Sequence, residues 1–150
     1  MKSAAPTPVR LHMTARLARS NRLNGAWWPY TDDITQELGP LLNAVATRVG
    51  PARGVMLSHM QWGRTSPGWT PASNPRLRVS WYGHHEPDIA IVIALSGKRL
   101  DLLLIPPTAS FEHAECAMAM ASRDGNRLSG TDTLIAAGVV VPEPVELLAN

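Results

Sequence analysis

Three groups of side chains have the types and spacing that chemistry uses. The densest is His84-His85-Glu86 with Asp88 two residues further on. Imidazole and carboxylate together suit zinc or iron. Neighbouring residues of a strand point to opposite faces, so only a turn lets both histidines reach one ion. The run falls between two strand-like segments and reads as a solvated turn, so neither a metal nor a cofactor is expected. His113 and Cys116 form the second group, three apart on a helix and therefore neighbours. A nucleophilic thiol needs a lowered pKa and a base in reach. Helical angles turn Cys116 away from the apolar stripe, and nothing supplies a third member, so a surface thiol is expected. The third is Asp101, an acid among the leucines of an apolar strand. A buried carboxylate needs a partner, which Arg99 or Arg78 can supply. A paired structural acid is the simpler reading, yet Asp101 is the residue to inspect first for a functional role.

Recognition has a stronger compositional signal than catalysis. The chain holds 5 tryptophans against 1 phenylalanine and 2 tyrosines. Tryptophan supplies a large apolar area with one donor. Trp81 belongs to a core face, whereas Trp27 and Trp28 are adjacent and Trp62 and Trp69 flank a proline-rich loop. Trp27, Trp28, Trp62 and Trp69, with Asp101, are therefore the expected ligand-binding residues. The leading expectation is a non-enzymatic module binding a small molecule or a protein. The enzyme alternative places a site between the first tryptophan pair, His59, His84 or His85, and Asp101. A third reading is nucleic-acid or ribosome association through Arg10, Arg16, Arg19, Arg22, Arg76 and Arg78, with Tyr82 or Trp69 stacking on bases. A net charge of +2 is small for that task, so ordinary solvated arginines are preferred.

The elements that must position these residues follow from periodicity. Val9, Leu11 and Met13 alternate with polar neighbours as a short strand. Asn24-Gly25 reads as a turn, and Pro29 holds Trp28 extended. A helix begins near Asp32, with Asp33 and Gln36 as a capping box. Ile34, Leu38, Leu41, Leu42, Val45 and Val49 form its stripe. Pro40 kinks or restarts it, and Gly50-Pro51 ends it. Residues 54–62 read as a strand with Met56, Met60 and Trp62 on one face. Residues 63–75 are a long loop, and residues 76–82 alternate cleanly. Ile89 to Leu95 and Leu100 to Ile105, joined by Ser96-Gly97-Lys98-Arg99, form a hairpin. Both strands are apolar on both faces, which implies a central place with cover on both sides. Ser110 caps a helix to about Arg123, whose buried stripe is Phe111, Ala114, Ala117, Met118 and Ala121. A short helix follows from Asp132 to Ala137.

The sum is an α+β fold: a mainly antiparallel sheet of about five strands with two or three helices packed on one face. A chain of 150 residues fits one domain. A leader is expected over residues 1–8, the domain over 9–138 and an extended tail over 139–150. The longest apolar run, Ile89 to Leu95, falls far short of the ~20 residues of a membrane span. No membrane is expected as partner, and one cysteine with no signal peptide points to the cytoplasm. There is no glycine-rich phosphate loop, zinc-ligand spacing or nucleophile elbow. The oligomeric state is not legible.

Two segments carry a family likeness: Leu23-Asn24-Gly25-Ala26-Trp27-Trp28-Pro29, and the leucine strand Arg99 to Ile105 closed by Pro106-Pro107. Over roughly residues 9 to 122 the chain resembles an uncharacterised actinobacterial family of domains of unknown function. That family has Leu-Asp/Asn-Gly-Ala-Trp-Trp-Pro before an amphipathic helix. Asn24 stands where aspartate is expected, which argues against an acid role there. The resemblance implies a bacterial cytosolic protein and brings no activity, ligand or catalytic residue.

Overall fold

The computed structural model describes residues 8–59, 61–63, 68–72, 74–83 and 88–140. His84, His85 and Glu86, and nearly all of the leader and tail, lie outside them. The elements are β1 (Leu11–Met13), β2 (Gly25–Trp27), α1 (Ile34–Val49), β3 (Ala52–Ser58), β4 (Arg78–Tyr82), β5 (Ile89–Ala94), β6 (Arg99–Leu104), α2 (Phe111–Ala121) and α3 (Gly130–Ala136). The strands form one six-stranded sheet in the order β1-β2-β6-β5-β3-β4.

The fold is α+β, but the sheet is mixed rather than mainly antiparallel, and it has one more strand than expected. β2 runs parallel to β6, and β3 parallel to β4; the other three pairings are antiparallel. The extra strand, β2, lies inside the double-tryptophan segment. Gly25 adopts φ 150°, where a Cβ would meet the His12 carbonyl oxygen and stand 2.8 Å from Met13 Cα. The Asn24-Gly25 pair thus marks a close approach of β1 to β2 rather than a reversing turn.

Helices cover both faces, not one. On the first face, Ile34, Leu38, Leu41 and Val45 of α1 pack on Trp27, Val55, Leu57, Ala90, Val92, Leu100, Leu102 and Leu104. On the second, Ala114, Ala117, Met118 and Ala121 of α2 and Leu134 of α3 pack on Ala26, Trp28, Ile89, Ile91, Leu103 and Ile105. The double-sided apolar pattern of β5 and β6 requires this arrangement, because an uncovered isoleucine row would stay in water.

Local chemistry sets the helix ends. Asp33 caps α1 by accepting from Thr35 N, and Gly50 ends the helix at φ 82°. Glu37, rather than Gln36, reaches back to the preceding loop. α1 runs unbroken through Pro40, which removes the N–H that would bond one turn back. Ser110 and Ser129 cap α2 and α3. Phe111, expected in the α2 stripe, is 70% exposed. Gly97, at φ 95°, turns the β5–β6 hairpin.

Candidate functional site

Trp27 and Trp28 are consecutive in an extended segment, so their side chains leave opposite faces of the sheet. Trp27 enters the α1 core and Trp28 the α2 core. The Trp28 Nε1–H donates to the Pro106 carbonyl at 3.0 Å, which ties the first family-like segment to the double proline of the second. Trp62 lies beyond the end of β3, where the period of two no longer holds. It packs on the α1 side, its ring 5.3 Å from Trp27, and not on the Met56 face. Trp69 is half-buried against the same core. The four tryptophans therefore do not line one pocket.

A cavity of about 280 Å³ does open where Trp27 and Trp28 meet the start of α1. Arg10, Pro29, Tyr30, Gln36 and Glu37 complete much of its wall. Arg10 precedes β1 and is clamped in place. Its guanidinium lies 3.6 Å from the Trp28 ring centroid and 3.8 Å from that of Tyr30. Its Nε and Nη2 donate to the carbonyls of Trp28 and Pro29, each at 2.9 Å. Burial pulls the Arg10 pKa below its ordinary value, while Tyr30 and Glu37 pull it upward. A guanidinium stays charged under such opposed influences.

Glu37 carries the matching negative charge. Its buried carboxylate accepts from Tyr30 N at 3.2 Å, Thr31 N at 3.0 Å and Thr31 Oγ1 at 2.8 Å. Those donors satisfy a charge that burial would otherwise penalise and fix the loop that carries Tyr30. Both oxygens are engaged by donors of the loop that they hold. Arg10 retains N–H donors beyond the two that it spends on carbonyls.

The remaining candidates fall elsewhere. Asp101 is half-buried and takes Arg99 in two hydrogen bonds, at 2.7 and 3.2 Å. Its backbone N–H donates to Asn24 Oδ1 at 2.8 Å, so β6 is locked to the segment before β2. It shares the α2 side of β6 with Leu103. His59 stacks on Trp81, centroids 5.4 Å apart, and Trp81 packs on the α1 side. Asp101 and His59 are thus on opposite faces of the sheet. Cys116 is exposed, and the His113 ring lies against Gly138. Among the described residues there is no cluster of three or more metal-ligating side chains and no helix long and apolar enough to cross a membrane.

Arg10, Tyr30 and Glu37 are the cleft residues that sequence reasoning missed. Arg10 looked like one of several scattered arginines, and its partners are 18 and 19 positions away. Glu37 left a faint trace as an acid beside Leu38 in the first turn of an apolar stripe.

The fold and the cleft define an α+β domain with a mixed six-stranded sheet covered on both faces. The chain belongs to the family of unknown function DUF5994, whose model matches residues 10–121. The match begins at the clamped arginine and ends with α2, so it contains all six strands and the helices α1 and α2 but not α3, whose Leu134 completes the second core. No curated protein and no solved structure matches the chain.

Proposed function

We propose that the chain is a non-enzymatic binding module that takes a small molecule in the cleft beside Trp27, Trp28 and Tyr30. The observation that supports this reading is the clamped guanidinium of Arg10, presented at a cavity of about 280 Å³. Pockets for small ligands are mostly apolar with a few fixed polar groups, and this cleft has that composition. Aromatic rings would cover a flat or apolar body, and the spare Arg10 donors would bind a carboxylate or carbonyl. The size suits a compact ligand. A cytoplasmic setting belongs to the same reading, in keeping with one unpaired cysteine.

Ligand-observed NMR with a mixture of small aromatic and aliphatic carboxylates tests it. Gln36 lines the cleft from an exposed helical position, so Gln36→Trp plugs the cavity without touching the core. Signals transferred by the parent protein and lost in Q36W support the reading. Equal transfer in both proteins, or none in the parent, rejects it.

A further inference from the structure

Arginines gather a second time at the other edge of the sheet. Arg53 lies at the start of β3, where the register shifts between Ala52 and Gly54. Arg76 and Arg78 stand at the start of β4. Parallel pairing sets Gly54 opposite Arg78, and antiparallel pairing sets Gly54 opposite Ile93. The result is an open concavity of about 480 Å³ with Gly54 and Ile93 as its floor and Arg53, Arg76 and Arg78 around it. All three arginines are exposed. Among the described residues, none of them makes a salt bridge and no carboxylate lines the concavity. Asp101, on β6 two strands away from β3, is already held by Arg99 in two hydrogen bonds.

Three like charges around one hollow repel each other unless an anion joins them. A glycine floor suits such an anion: a Cβ at Gly54 would meet only the Arg78 carbonyl, at 3.5 Å, so the hollow is open to its base. Arg53 and Arg76 also wall an adjoining concavity of about 500 Å³, where Leu42, Ala46 and Leu95 supply apolar surface and Asn43 and Asn74 supply amides. Leu95 is 64% exposed there. Asn74 donates Nδ2 to the Ala52 carbonyl at 3.2 Å, which leaves its Oδ1 available as an acceptor.

We propose that Arg53, Arg76 and Arg78 bind the phosphate groups of a phosphorylated small molecule whose organic part lies over Leu42 and Leu95. Guanidinium groups suit phosphate because their planar N–H forks match its oxygens. The hollow is confined to about 480 Å³ over Gly54 and Ile93, and the apolar surface lies to one side of it. Both features fit a compact amphiphilic phosphoester better than a continuous polynucleotide track. The site is separate from the tryptophan cleft and does not depend on it, since the two share no lining residue.

Calorimetric titration of the whole chain with ADP and with inorganic tripolyphosphate provides the test, at low and at high salt. Saturable binding of both is expected, weakened at high salt, because the charges are exposed. Arg53→Glu with Arg78→Glu should weaken both probes at least ~30-fold while the melting temperature stays within about 2 °C. Leu95→Asp should weaken ADP several-fold more than tripolyphosphate, which lacks an organic part. Absence of binding by the parent, or binding that the double charge reversal leaves intact, overturns the proposal. So does tight binding of an oligothymidylate of about 20 nucleotides with no measurable affinity for ADP, which would assign the arginines to nucleic acid instead.

Discussion

Arg10 and Arg78 stand at opposite edges of one sheet, and the protein uses them in opposite ways. Arg10 is wedged between two aromatic rings and spends its donors on backbone carbonyls. Arg78 is exposed beside two further arginines, with no salt bridge among the described residues. At the β1–β2 edge the strands are three residues long and cannot hold themselves by ladder bonds alone, so side chains lock them in place. At the β3–β4 edge the seven-residue β3 and five-residue β4 carry their own pairing, and their charged side chains are free for other work. Arginine at the short edge holds the strands in place with two of its donors; at the self-sufficient edge the fold does not draw on it.

Substitutions ordered by expected effect would sharpen or break that contrast. Gly25→Ala should be the most severe, at more than about 3 kcal/mol, because its Cβ would strike the β1 backbone and no rotamer relieves the clash. Urea denaturation measures it; a loss below about 1 kcal/mol would show that β1 can retreat and that its position is not fixed. Trp27→Ala follows at about 3–5 kcal/mol, the usual range for emptying a fully buried aromatic site. Arg10→Lys should cost about 2 kcal/mol. A lysine keeps the charge but loses the planar fork that bonds two carbonyls while stacked. Hydrogen exchange should then accelerate in residues 9–13 and 26–30 while β3 and β4 stay protected. Uniform acceleration across the sheet would contradict the local role given to Arg10.

Smaller effects belong to the other edge and to one orphaned donor. Arg78→Gln should change stability by no more than ~0.5 kcal/mol, as expected for an exposed side chain without a salt bridge. A larger loss would mean that this edge, too, depends on its arginines. Trp62 buries an indole Nε1–H with no hydrogen-bond partner among the described residues. Trp62→Phe removes that donor along with some ring volume, and the two changes oppose each other. A net change within ~1 kcal/mol is expected by thermal unfolding, well below that of Trp27→Ala on the neighbouring ring.

What the sequence disclosed was local in origin. The α1 stripe, its Asp33 cap and Gly50 stop, the Ser110 cap of α2 and the Gly97 hairpin all depend on residues within a few positions of one another. β2 was hidden because three residues are too short for a period, and its parallel partner in β6 is 77 positions away. The parallel β3–β4 pair was hidden for a similar reason. Between them lies the long loop read over residues 63–75, whose flanking Trp62 and Leu77 are buried in the α1 core. Cover on both faces was already implied by β5 and β6, where Ala90 and Val92 point one way and Ile89 and Ile91 the other. Placing every helix on one face contradicted that pattern. The tryptophans drew attention to a segment that lines the cleft, but Arg10 gained its place there only when the chain brought it onto Trp28 and Tyr30.

The parallel pairing of β2 with β6 also has a consequence during synthesis. The ribosome completes Trp27 long before Leu104, the strand partner that its register requires. At the usual ~5–20 residues per second, that interval is roughly four to fifteen seconds. Throughout it the nascent chain carries Trp27 and Trp28 with neither core in place to cover them. β2 can therefore take its place in the sheet only once β6 has been made.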